Sequence, residues 1–417
     1  MKVFLTSQGS TGDIFPLIAI ARALVEQGSE VTFATFPVFK EEIERAGATF
    51  FSLPPHWKQA ELSRIMEGMY AHRGPARQLQ YLYRTMAPHL EAGLEAVRPL
   101  VREAEVVVSS YLFPLGKFLP REMKGKAEAV IAFAPNTVPL VDQAPYGTPS
   151  LPSFFPAILR RLWASFLWRT ADVVMARLLS SALKGTAFPK HSVKKFFSSP
   201  APKVLIGVSP LLRQGTERDP ERYHFVGYCR WQNQQESLLD EEILAFTKGE
   251  KVPVITFGSM VDERPEETMA RFLRHWPLGT KVILQAGWSG FTLPTPQPHV
   301  KLVGPGSHDH LFAHASVVIH HGGAGTTASV LHAGKPQIIV PHIADQPFFA
   351  GEIERLGVGF GLSRSHWPER LPSALAVLLK NDSYENTARQ IAADLARENG
   401  PEKVVKELQK LRQAKFN

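Results

Sequence analysis

Residues 317–346 read VVIHHGGAGTTASVLHAGKPQIIVPHIADQ. Val317, Val318 and Ile319 open the stretch as an apolar run, two histidines follow, and the chain then enters a turn of glycine and threonine. A helical segment comes next, and a second apolar run at 337–340 leads on to Asp345 and Gln346. In a parallel α/β sheet, a strand that runs into a glycine-rich turn at a helix start is an anion site. The first N–H groups of the helix point outward there, and glycine lets the anion come close. His321 leaves one strand end, and the pair Asp345 and Gln346 leaves the next. The pattern suits a phosphate on the first and a polyol on the second. A carboxylate beside an amide offers the acceptors and donors that vicinal hydroxyls require.

The same rhythm starts the chain. Residues 3–5 predict a strand, the run SQGSTGD at 7–13 a turn, and residues 14–27 a helix closed by Gly28. Strand signals recur at 31–34, 49–53, 106–109, 129–134 and 204–208. Residues 211–235, dense in charge, glutamine and proline, read as a linker, after which strands are expected at 254–257, 282–285 and 300–303. The expected class is α/β, with two Rossmann-like domains over 1–210 and 236–390 and a charged helical end at 391–417. Their ligand sites are expected to face each other across a cleft.

Length agrees with this, because 417 residues exceed one ordinary core. The formal charge of +8 fits an anionic ligand, an anionic membrane surface or nucleic acid, and does not choose among them. A single cysteine, Cys229, excludes an internal disulfide framework and a cysteine-based zinc site, which is consistent with a reducing compartment. No run approaches the ~18–20 uncharged apolar residues that span a bilayer, and the short apolar start reads as a first strand and not a signal peptide. The expected location is cytoplasmic, soluble or peripheral to the inner face of the membrane.

Several residues could carry chemistry. Asp13 has two readings: an N-cap that accepts a backbone N–H, or a general base on the lip of a cleft. Gly258 and Ser259 follow an apolar strand, so Ser259 either caps a helix or contacts a phosphate. His321 follows three β-branched residues where the chain leaves its sheet, which is not ordinary core packing. Metal binding competes, with His308, His310, His314 and His320 near in sequence, but no spacing matches a zinc site, and no metal is expected. The aromatic and basic stretch 154–183 covers its own domain, lies on a membrane surface or borders a greasy acceptor pocket.

With these residues in hand, the chain resembles the GT-B nucleotide-sugar-dependent glycosyltransferases of family one. The closest flavour is the bacterial branch of sterol and antibiotic glucosyltransferases and the rhamnolipid rhamnosyltransferase. The resemblance runs over nearly the whole length. It is most specific at HHGGAGTT (320–327), GKP (334–336) and ADQP (344–347), with GSTGDIFPLIAIARAL and PVFKEEIERAGATF matching on the amino-terminal side.

The resemblance implies roles. His321 contacts the donor diphosphate, with Gly323, Ala324, Gly325 and Thr326 supplying backbone and hydroxyl donors. Asp345 and Gln346 hold the donor sugar, Gly258 and Ser259 form a phosphate contact, and Asp13 is the catalytic base, flanked by Ser10, Thr11 and Gly12 on the donor side. Where relatives read Val-Pro-His, this chain has Gly306, Ser307 and His308, so uracil against thymine stays open; Trp288 is a further candidate beside the base. Trp57, Tyr70, Phe113 and Phe133 are candidates on the acceptor side. The implied reaction is inverting and metal-independent, with no cofactor beyond a nucleotide-sugar co-substrate, UDP-glucose ahead of a TDP-sugar. The implied acceptor is a hydrophobic alcohol or lipid, with no nucleic acid partner. The carboxyl-terminal helix is implied to pack back on the first domain. The competing readings are a nucleotide-sugar epimerase on the same fold and a non-catalytic nucleotide-sugar-binding subunit.

Overall fold

The computed structural model describes residues 1–72, 74–119, 125–139, 144–145, 148–149, 151–152, 154–186, 195–197, 203–212, 222–231, 238–258, 260–287, 289–304, 306–343 and 345–416. The chain divides into two compact units, Met1–Trp231 with Asn399–Asn417, and Gln232–Glu398.

The first unit is built on β1 (Lys2–Thr6), β2 (Glu30–Thr35), β3 (Thr49–Ser52), β4 (Val106–Ser110), β5 (Ala127–Ala132), β6 (Lys203–Ile206) and β7 (Tyr223–Phe225). They form one sheet in the order β3-β2-β1-β4-β5-β6-β7, every pair parallel. Parallel strands need helical crossovers, which cover both faces and make the strands apolar throughout. The two-residue period then sorts side chains between two cores. Val3, Leu5, Val106 and Val108 face the helix Thr11–Glu26 and the carboxyl-terminal helix, while Phe4 and Val107 face the opposite cluster around Tyr83, Leu94 and Leu179.

The second unit holds β8 (Val252–Thr256), β9 (Val282–Gln285), β10 (Val300–Val303), β11 (Ala315–His320), β12 (Gln337–Ile339) and β13 (Gly359–Gly361). Its order is β10-β9-β8-β11-β12-β13, again all parallel. In each sheet the winding reverses once, between β1 and β4 and between β8 and β11. Ligands of doubly wound sheets bind outside the strand carboxyl ends at that switch.

Three expectations change. The first helix begins at Thr11 and not at residue 14, so the predicted turn is partly helix. The stretch read as linker supplies β7, which pairs with β6 from Val204↔Tyr223 to Ile206↔Phe225. The carboxyl-terminal boundary also moves, because helix Asp382–Leu395 stays in the second unit and helix Gly400–Phe416 joins the first. That helix inserts Val404, Val405 and Leu408, all fully buried, into the first core, and ties its rim through Lys203–Glu407 at 3.1 Å. Among the described residues no helix is long and apolar enough to cross a membrane.

Candidate active site

At the β8/β11 switch, two histidines leave β11 with different jobs. His320 is fully buried; its Nδ1 accepts from the Gly322 N–H at 3.1 Å and its Nε2 meets the Gln337 Oε1 at 2.9 Å. Those partners fix the neutral tautomer with the proton on Nε2, and burial pushes its pKa down to about 4. Its role is to hold the turn. His321 is also buried, yet its Nδ1 has no hydrogen-bond partner. Burial, with His320, His342 and His308 nearby, holds its pKa well below the usual histidine range. Its ring is slotted between two glycines. A Cβ on Gly323 would sit 2.5 Å from Nε2, and one on Gly258 would sit 3.3 Å from Cε1.

Gly323 is also the N-cap of helix Ala324–His332. The first intrahelical bond runs from Thr327 N to Gly323 O at 2.9 Å, so the N–H groups of Ala324, Gly325 and Thr326 precede the ladder. A neutral, unpartnered imidazole beside the positive end of a helix is an anion receptor.

Neighbouring strand ends are strapped together. Thr256 Oγ1 donates to Gln285 Oε1 at 2.8 Å, and Gln285 Nε2 donates to the Gly304 carbonyl at 3.3 Å. This chain of bonds sets the loop that carries Gly306 and delivers His308, whose ring stacks on Phe312 at 4.9 Å. Beyond β12, Asp345 is the N-cap of helix Gln346–Arg355 and is half-buried. Gln346, expected to hold the donor sugar together with Asp345, has its side chain engaged within the protein. It is buried, its Oε1 accepts from the His342 and Ile343 N–H groups at 2.6 and 3.0 Å, and its Nε2 reaches the Met260 Sδ at 3.3 Å. The amide therefore shapes the loop, at whose end the half-buried Asp345 starts the helix.

The β1/β4 switch in the first unit is locked in the same way. Ser110 Oγ donates to Ser7 Oγ at 2.5 Å, and Gln8 Oε1 accepts the Leu115 N–H at 3.2 Å. Ser10 caps the first helix, and Asp13, at its third position, returns its carboxylate to Ser10. Oδ2 accepts the Ser10 N–H at 3.0 Å and the Ser10 hydroxyl at 3.2 Å. The N-cap reading of Asp13 is thus replaced by that of a half-buried carboxylate inside the first turn. Burial raises its pKa to about 6, and the two bonds from Ser10 hold it from going higher. Gly9 is pinned between the Asp13 carboxylate and the Phe113 ring, both of which would collide with a Cβ there. Thr11 and Gly12 are exposed at the helix start.

Of the other candidates, Trp57 packs on Phe36 at 5.4 Å and edge-on to His89 at 5.5 Å. Phe133 lies over Gly207. Both are partly buried against the first core, so of the acceptor candidates Phe113 is the one the fold brings to Asp13. Ser259, Trp288 and the side chain of Tyr70 lie outside the described residues. Among the described residues no three histidine, cysteine or acidic side chains cluster as metal ligands.

Comparison with known proteins gives the family. Residues 3–100 match the model of the glycosyltransferase family 28 N-terminal domain, and residues 292–411 match that of the erythromycin biosynthesis protein CIII-like C-terminal domain. Glycosyltransferase GtfE of Amycolatopsis orientalis is 28% identical over 376 residues, 86% of this chain and 85% of that protein. The sterol 3-beta-glucosyltransferase of Komagataella phaffii is 25% identical over 96% of this chain, which spans 33% of that longer protein. The solved glycotransferase of kitacinnamycin shares the fold, with a TM-score of 0.67 at 18% identity over 98% of both chains. The chain is a GT-B glycosyltransferase.

In this glycosyltransferase the first matched segment contains Asp13 and the second runs from the loop before Gly306 past Gln346. Several residues that shape the site escaped the sequence reading. Gln337, fully buried inside an apolar strand, is the partner that makes His320 structural, and an isolated amide in such a run was the available signal. His342 is half-buried, donates from Nδ1 to the Val340 carbonyl at 2.7 Å, and has a pKa lowered to about 4 by desolvation and the Arg364 charge. Gln285 and the serine pair Ser7 and Ser110 carried no sequence signal, because their partners come from other strands.

Proposed function

We propose that this glycosyltransferase is inverting and metal-independent, and moves glucose from UDP-glucose to a hydroxyl of a hydrophobic small-molecule or lipid acceptor. The observation that carries the reading is Asp13, a half-buried carboxylate at a sheet switch point with its pKa raised to about 6. Such a group is ionised at neutral pH yet basic enough to accept a proton as an alcohol attacks. The acceptor oxygen forms a bond to the anomeric carbon, its proton passes to Asp13, and the bond from that carbon to the diphosphate oxygen breaks. The electron pair leaves with the diphosphate.

Negative charge then builds on the departing phosphate. The N–H groups of Ala324, Gly325 and Thr326 and the His321 ring are the donors for it, in the place of a cation. Asp345 takes the sugar hydroxyls, while Gln346 holds the loop from which Asp345 projects. The glucose reading is supported by relatives whose names specify glucosyl transfer, and the hydrophobic acceptor by Phe113 beside Asp13.

The test is a matrix of UDP- and TDP-sugars against a panel of hydrophobic alcohols, read by mass spectrometry with and without EDTA. Glucosylated product from UDP-glucose, unchanged by EDTA, is expected. Product from TDP-sugars alone would reassign the base. Conversion of the sugar nucleotide without acceptor would point to an epimerase, and no turnover of any donor would contradict the assignment.

A further inference from the structure

The helix Ala157–Ala182 is apolar on two opposite faces. One face buries Ala164, Trp168, Met175 and Leu179 in the first unit. The other presents Ile158, Leu162 and Phe166 at four-residue spacing, exposed by 61%, 60% and 57%, and Phe154, just before the helix, is exposed by 80%. Val173 continues that face at 51%. A helix that is apolar all round is normally covered on every side, and a contiguous exposed apolar stripe marks a surface that meets something.

Charge selects the partner. Between 154 and 184 the basic residues are Arg160, Arg161, Arg169, Arg177 and Lys184, and the single acid is Asp172. Asp172 is buried, with Oδ1 accepting the Phe197 N–H at 2.7 Å, so the outward face carries no carboxylate. Arg169 and Arg177 are exposed along it. A second copy of this chain would set these arginines against like charges. An apolar and aromatic row edged by arginine, without acid, matches instead the interface of an anionic bilayer, where rings enter the headgroup boundary and guanidinium groups meet phosphate.

We propose that this face docks on an anionic lipid bilayer, lying in its interface and not crossing it. The proposal does not depend on the donor or the base. It is tested by co-sedimentation of the full chain with sucrose-loaded vesicles. Binding is expected to phosphatidylcholine–phosphatidylglycerol vesicles, weaker to phosphatidylcholine alone, and to fall with added salt. Leu162→Glu/Phe166→Glu and, separately, Arg169→Glu/Arg177→Glu should each lower partitioning at least about tenfold. Far-UV circular dichroism and thermal unfolding unchanged from the parent show that the fold survives. A parent that stays in the supernatant with anionic vesicles, or variants that bind as the parent does, would overturn the proposal. A concentration-dependent dimer abolished by Leu162→Glu/Phe166→Glu, without vesicle binding, would assign the face to a second copy and also overturn it.

Discussion

Among the described residues, Asp13 accepts both of its side-chain hydrogen bonds from one residue, Ser10, through the backbone N–H at 3.0 Å and the hydroxyl at 3.2 Å. The hydroxyl bond is removable by mutation and the backbone bond is not. Ser10→Ala should therefore raise the Asp13 pKa further above about 6, since burial is then opposed by one bond instead of two. A base works when ionised, so the acidic limb of kcat/KM against pH should shift toward higher pH. An unmoved limb would separate Asp13 from the rate. The lost cap hydroxyl should also cost about 1 kcal/mol of stability.

Stability and activity should move in opposite directions at Asp13. Its folded pKa is raised above the unfolded value, so folding favours the protonated form. That contribution is full below the unfolded pKa and is lost as pH rises through about 6. Asp13→Asn mimics the protonated carboxyl and should stabilise the protein by about 1–2 kcal/mol at pH 8, a discounted figure because the group is partly exposed. The gain should vanish below pH 4, and Tm measured across that range checks it.

The histidines of the second unit titrate in the other sense. His320 and His342 have folded pKa values lowered to about 4, so their contribution is present above the unfolded value near 6.5 and is lost as pH falls through 4. Thermal stability should decline over that window. His320→Ala should remove part of the dependence and cost about 1–3 kcal/mol, because the Gly322 N–H and Gln337 amide lose their partner.

His321 should behave differently from its neighbour. Its Nδ1 has no partner to strand, so His321→Ala should cost only the packing of its ring, about 1–2 kcal/mol of stability, while lowering kcat about 10²-fold. A large loss of Tm with unchanged kcat would exchange the roles of the two residues.

Gln346→Ala should lower stability by about 1–3 kcal/mol, since two backbone N–H groups lose their acceptor. Chemical denaturation measures it. An unchanged midpoint would return Gln346 to direct sugar contact alone.

The two-fold winding was legible because parallel strands are apolar on both faces, as Val106, Val107 and Val108 are, and glycine turns punctuate them. His321 and Asp13 were legible because each sits where a strand hands over to a helix. Residues whose meaning lies in a partner from a distant strand were not. Gln285, Gln337 and Ser110 look like scattered polar residues until the sheet order places Thr256, His320 and Ser7 beside them. Gln346 shows the converse. Its motif was plain, but the side chain's turn inward toward His342, Ile343 and Met260 depends on packing that a local pattern does not carry.

The central claim is that Asp13 is the base of a glycosyl transfer, and Asp13→Asn tests it most directly. With an acceptor found by the substrate matrix, the variant should bind UDP-glucose within about twofold of the parent by calorimetry and lose about 10²–10⁴-fold in kcat. Transfer at the parental rate, with the same glucosylated product, would contradict it.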